Sequence, residues 1–175
     1  MKARYTMFAA YNAWANERMY EKAATLSDAD YRADRGAFFK SVHGTLNHIL
    51  VGDRVWMQRF EGRGEIPPSL DVILYDDFAD LRAARRAEDE RITRYIDRLT
   101  DADFTSRIRY RAMSNPALVE QDLWPALDHF FNHQTHHRGQ AHCLFTQIFK
   151  SNDVPSFDMV VLQRATGIGG MKKLD

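Results

Sequence analysis

His129-Phe130-Phe131-Asn132-His133-Gln134-Thr135-His136-His137-Arg138-Gly139-Gln140 holds four of the seven histidines of this 175-residue chain. On an α-helix His129, His133 and His137, each four residues apart, project from nearly one face and rise ~6 Å per step. Two imidazoles at that spacing can converge on one ion at ~2.0–2.1 Å. Consecutive turns of one helix cannot wrap an ion without strain, so a third ligand has to come from another helix. The candidates are His43 and His48. Five residues on a helix turn through ~500°, which leaves the two about 140° apart, so only one can face the interior. His48 shares a face with Thr45, Gly52 and Trp56, whereas His43 falls with Asn47 and Arg54, and His48 is the better ligand.

Taken singly, each of these histidines reads as a packed or surface residue. The i, i+4 pair, joined by an inward-facing histidine on a second helix, turns the reading toward metal. His136 and His142 lie off the line of His133 and His137 and read as surface or interface groups. His129 stays open between a fourth ligand, a group beside the ligands or the substrate, and plain helix surface.

Working outward, the stretch belongs to a helix that starts near Leu123-Trp124-Pro125, where proline is tolerated in the first turn. It runs to about residue 150 and is stopped by Ser151-Asn152-Asp153-Val154-Pro155. Three more long helices precede it. Phe8, Tyr11, Ala15, Met19, Ala23 and Leu26 recur at spacings of three and four over residues 4–25, one buried stripe. Ser27-Asp28-Ala29-Asp30 reads as a cap opening a short turn. Residues 39–61 form the helix of His48, ended by Gly62-Arg63-Gly64 and Pro67-Pro68. Residues 76–99, opened by Asp76-Asp77, carry Phe78, Leu81, Arg85, Ile92, Ile96 and Leu99 on one stripe. The density of Arg, Asp and Glu around them predicts a partly exposed outer helix with a solvated face. Residues 104–122 alternate instead, with a turn at Ser114-Asn115-Pro116, and predict a hairpin or an extended crossover. A short segment, Phe157 to Arg164, and a Gly-rich tail close the chain. The expectation is all-α: one domain over residues 1–175, a four-helix bundle with one longer crossover.

Lys plus Arg equals Asp plus Glu, 24 each, so no overall basic excess favours nucleic acid or an anionic membrane. A hydrophobic share of 45% with 27% charged residues is that of an ordinary soluble globular chain, which can bury a core without staples at this length. The one cysteine, Cys143, permits no intrachain disulfide, and the N-terminal stretch has no signal-peptide core. No stretch nears the ~20 apolar residues of a membrane span. Cytoplasmic placement is the default.

Three segments carry a family resemblance. Tyr11-Asn12-Ala13-Trp14-Ala15-Asn16-Glu17 is similar to the opening of the DinB/YfiT-like proteins. Gly44-Thr45-Leu46-Asn47-His48-Ile49-Leu50 followed by Asp53-Arg54-Val55-Trp56 resembles their second helix, and the His129 to Gln140 run resembles their last. The segments come in the right order across nearly the whole chain. The resemblance implies an up-down-down-up four-helix bundle and a three-histidine site at His48, His133 and His137. It implies nickel or zinc as the usual ion, with iron or manganese as further options, and often a homodimer. Several relatives of the superfamily are thiol-dependent transferases or isomerases, which implies a small-molecule substrate and a low-molecular-weight thiol. Gly139 in the Arg-Gly-Gln run can admit a neighbouring helix closely, and Arg138 and Gln140 can bond the ligands or backbone or simply pack.

Three neutral imidazoles leave a divalent ion its charge and an open position, so the site reads as reactive or exchangeable, unlike closed structural zinc. Metal-dependent transfer of a thiol is the leading reading. The rivals are a non-catalytic metal-binding stress protein and a hydrolase, which needs a base such as Asp53 or Asp128 brought to the site by the fold. No Glu-x-x-His excludes a di-iron bundle, and no His-Glu-x-x-His excludes the usual zinc protease. No nucleotide-binding glycine motif is present. Cys143, ~540–600° past His137, points away from the ligand line and reads as core or interface.

Overall fold

The computed structural model describes residues 1–113, 117–149 and 153–172. In chain order these form α1 (Lys2–Ala23), α2 (Asp28–Arg32), α3 (Val42–Glu61) and α4 (Phe78–Arg98). The antiparallel hairpin β1 (Arg107–Arg111) and β2 (Leu118–Asp122) follows, with Arg107 opposite Asp122 and Arg111 opposite Leu118. Then come the long α5 (Leu123–Ile148) and the short α6 (Met159–Thr166). The structure is therefore mostly helical with one small sheet, and the alternating segment before α5 is a hairpin, as its pattern suggests. The turn expected at Ser114-Asn115-Pro116 and the stop expected at Ser151-Asn152 lie outside the described residues. No described helix is long and apolar enough to cross a membrane.

Side chains set the helix ends. Ser27 accepts from the Asp30 amide at the start of α2, Ser41 accepts from Gly44 at the start of α3, and Asp77 accepts from Ala79 and Asp80 at the start of α4. Each satisfies amides that the first helical turn leaves without partners. Gly62, at φ 67°, closes α3 in the left-handed region that glycine enters without penalty. The start expected at residue 39 is corrected to Val42. Phe39 and Lys40 belong to a tight turn bridged between Ala37 and Lys40, with Lys40 itself at φ 65°.

The four long helices pack in a ring of contacts. α1 runs antiparallel to α4, since Lys2 near its start caps the Asp97 and Leu99 carbonyls at 2.6 and 2.9 Å while Asn16 reaches Asp89. It runs parallel to α5, with Tyr5 against Asp128 and Asn12 against Arg138. α3 runs antiparallel to α5, and parallel to α4 through Asp53–Arg85 and Glu61–Arg98.

Each of these helices is apolar, then polar, then apolar on its inner face. One apolar cluster joins Met19, Leu46, Leu50, Leu81, Leu144 and Phe145. The other joins Tyr5, Met57, Ile92, Phe104, Leu127 and Phe130. Between them lies a buried polar layer of Asn12, Asn16, Asp53, Arg85, Asp89, Gln134 and Arg138. The solvated face expected of α4 is thus corrected in part: Arg85, Glu88 and Asp89 are buried. Charge density alone does not show where a partner stands, and here Asp53 of α3 supplies it.

On the outer side, Glu17 of α1 accepts from Arg86 at 2.6 and 3.0 Å and from Arg82 at 2.5 Å, across to α4. The Arg86 and Arg82 guanidiniums hold its carboxyl down at about 2, well below the ordinary 4.5. A carboxyl with a depressed folded pKa contributes stability that is complete above its unfolded value and lost as pH falls toward the folded one. Thermal melts from pH 6 to 2.5 should show Glu17→Gln losing less stability than the wild type below about pH 4.5. Parallel pH profiles for the two proteins would mean that the pair contributes nothing across the α1–α4 contact.

Candidate metal centre

His48 comes from the middle of α3, and His133 and His137 from adjacent turns of α5. Because the two helices run antiparallel, the three rings meet. His48 Nε2 stands 3.1 Å from His137 Nε2, which stands 3.1 Å from His133 Nε2. All three ligand nitrogens lie within 4.8 Å of one another. His48 and His137 are buried and His133 is half-buried, so the cluster sits just beneath the surface. The sequence singled out these three, and the fold brings them together.

Four local features hold the rings. Leu70 offers a backbone carbonyl, which can only accept, so His48 Nδ1 donates to it at 2.6 Å. Asn47, the neighbour of His48, fixes the next part of that loop, its Oδ1 accepting from the Leu74 and Tyr75 amides at 2.9 and 3.0 Å. Gln140 Oε1 accepts from His137 Nδ1 at 2.8 Å. The Phe39 ring stacks on His48 at 3.7 Å and 16°, placed there by the turn that precedes Ser41. That turn packs so closely on α3 that a Cβ on Gly44 would stand 2.2 Å from the Phe39 carbonyl oxygen.

A neutral imidazole with its hydrogen on Nδ1 has a bare lone pair on Nε2. His48 and His137 are both in that state, so their Nε2 atoms face each other at 3.1 Å with no proton between them. His133 can donate one hydrogen at most, and its Nδ1 is buried without a partner. Adding protons is opposed by burial and by the other rings: His133 is pushed down to about 3 and His137 to about 4, and burial lowers His48 as well. Nitrogens ~2.0–2.1 Å from a tetrahedral ion lie ~3.3 Å apart, close to the observed spacing. The donor set therefore fits a cation.

The other candidates fall elsewhere. His129 is exposed, its ring 5.9 Å from His133 and 5.0 Å from Trp56, and it is not within the three-nitrogen group. His43 is buried away from the site, bonding the Tyr75 carbonyl at 3.1 Å beside Tyr31. His136 is exposed, and His142 packs on Phe157. Cys143 is exposed, so of its two readings, core or interface, the core one is corrected. Asp53 is held by Arg85 and Asp128 by Tyr5 and Arg4, and neither carboxylate belongs to the group of convergent ligand atoms. Arg138 turns from the histidines to Asn12, and Gly139 faces open space, not a neighbouring helix. The close approach belongs to Gly52, where a Cβ would stand 2.7 Å from His133 Cε1. Its place one turn after His48 was the available sign.

The chain matches the profile of the DinB family over residues 1–164. It belongs to that family. It is also similar to Protein DinB of Bacillus subtilis (strain 168), at 23% identity over 143 residues, which cover 78% of this chain and 81% of the relative. A DinB-family chain with three convergent imidazoles is what the resemblance in its helices implied.

Gly52→Ala is the sharpest probe of this packing. Alanine is favoured over glycine within a helix by ~1 kcal/mol, so α3 keeps its stability, while His133 must move. Calorimetric titration with zinc should show affinity falling by ~10–100-fold, as for loss of a group that orients a ligand. An unchanged affinity would show that the His133 ring does not depend on this seat.

Proposed function

We propose that this DinB-family protein binds one divalent ion through His48, His133 and His137 and uses it to transfer a low-molecular-weight thiol to an electrophilic small molecule. Nickel or zinc suits an all-imidazole set, with iron and manganese as further options. The observation that carries the metal reading is the His48–His137 contact, two Nε2 lone pairs at 3.1 Å whose other nitrogens are already committed as donors. The proposal includes the family's layout: one domain, an up-down-down-up four-helix bundle, in the cytoplasm and as a homodimer. The helix directions, α1 and α5 alike and opposed to α3 and α4, support that layout.

A divalent ion held by three neutral ligands keeps its full charge and supplies Lewis acidity that lowers the pKa of a thiol or water. The chain's own groups do the rest. The Leu70 carbonyl and Gln140 keep His48 and His137 in the tautomer that presents Nε2. Phe39 covers one face of His48 and excludes water there. His133, half-buried, leaves the cluster reachable from outside. A hydrolase is the weaker reading, because Asp53 and Asp128 are engaged with arginines and neither belongs to the group of convergent ligand atoms. A non-catalytic metal-binding protein acting through its dimer is the alternative that the assay below decides.

Protein purified without a metal-affinity tag should carry about one equivalent of metal by elemental analysis, and His133→Ala far less. With metal restored, small thiols should perturb the ligand-field spectrum of the nickel or cobalt form and be consumed with an electrophilic acceptor. Metal uptake without any thiol effect would remove the transferase reading and leave the binding protein. Equal metal content in His133→Ala would remove both.

A further inference from the structure

Six of the seven side chains in the polar layer between the two apolar clusters, all but Gln134, form a connected chain that starts and ends next in sequence to residues of the histidine site. Arg138, directly after His137 on α5, donates from Nη1 to Asn12 Oδ1 on α1. Asn12 and Asn16 donate to Asp89 Oδ1 on α4 at 3.2 and 2.9 Å. Arg85 then spans two helices, with Nη2 3.0 Å from Asp89 Oδ1 and Nη1 2.5 Å from Asp53 Oδ2 on α3. Asp53 directly follows Gly52, the seat of the His133 ring. All six side chains are buried, and the two aspartates offset the two arginines.

Apolar clusters are tolerant of sliding, since one aliphatic contact replaces another. A buried charge has no such freedom, because a shift of one turn, ~5.4 Å, leaves it without its partner. The same shift between α3 and α5 would part the histidine nitrogens from their 3.1 Å contacts. Buried ionic groups contribute little stability over apolar packing, and fixing a register is their best-attested use. We infer that the chain Arg138–Asn12–Asp89–Arg85–Asp53 is a register lock that fixes α3 against α5 so that His48 meets His133 and His137. Its members are positioning residues, and the inference rests on the metal reading above only for its readout in metal affinity.

The triple substitution Asp53→Leu, Arg85→Met, Asp89→Leu exchanges the charges for apolar side chains, an exchange that often leaves a fold as stable as before. Arg85→Lys keeps the charge but, as a point charge, cannot span both carboxylates. Each variant is melted and titrated with cobalt(II) while its visible absorption is followed. A lock gives a folded triple variant with cobalt Kd raised at least ~10-fold and altered visible bands, and Arg85→Lys in between. Wild-type Kd and bands in the triple variant overturn it. Should the triple variant not fold, Arg85→Lys decides on the same two readouts. A metal-free measurement separates this inference from the metal reading. Trp56 of α3 lies 5.0 Å from His129 of α5, and in a Trp14→Phe, Trp124→Phe background its emission reports their register. If the wild type takes up no cobalt, the metal reading fails. Emission shifted by the substitutions then still supports the lock, and unchanged emission sinks it.

Discussion

Two imidazole nitrogens, each with a lone pair and neither with a hydrogen, face each other at 3.1 Å between α3 and α5. Left alone, that contact is repulsive, and burial blocks the simplest relief, protonation. The surroundings enforce the arrangement from both sides. The Leu70 carbonyl fixes one ring, Gln140 fixes the other, and Gly52 makes room for the third. A loop, a glutamine and a helical glycine together align lone pairs on a point where a positive charge could be held.

Such alignment needs helices that do not slide. The apolar clusters at either end supply cohesion, while the buried layer between them supplies a unique axial fit. Burial pushes the Asp53 carboxyl up to about 7 and raises Asp89 too, with Arg85 between them opposing the rise. A layer so dependent on one guanidinium tolerates little displacement. Cohesion and precision thus come from different residues on the same four helices.

Much of this was legible in the sequence. The position of His48 on the face of Gly52 and Trp56 sufficed to choose it over His43, and the family resemblance singled out His133 and His137 where helical spacing alone had left His129 open. Periodicity placed the long helices within a few residues, and alternation indicated the hairpin. What stayed hidden depended on partners distant in sequence. Glu88 and Asp89 look like solvent-facing charges, and Arg85, although on the stripe of Leu81 and Ile92, shows no partner until Asp53, more than thirty residues earlier, is seen opposite. Phe39 looks like the first turn of α3, because nothing in the sequence shows that the chain doubles back at Lys40. The Leu70 carbonyl that orients His48 carries no side-chain signature at all. Gly139 stands within a recognisable run, yet the glycine of α3 and α5 that a ring on another helix presses is Gly52.

These imidazoles, and no other side chain of the protein, are the expected ligands of the ion. X-ray absorption at the metal edge of protein loaded with one equivalent of zinc measures that directly. The account expects a nitrogen or oxygen shell at ~2.0–2.1 Å with the outer-shell scattering of three imidazoles. A sulfur shell at ~2.3 Å, which only a thiolate such as that of Cys143 would supply, would contradict it. So would fewer than two imidazoles in the shell.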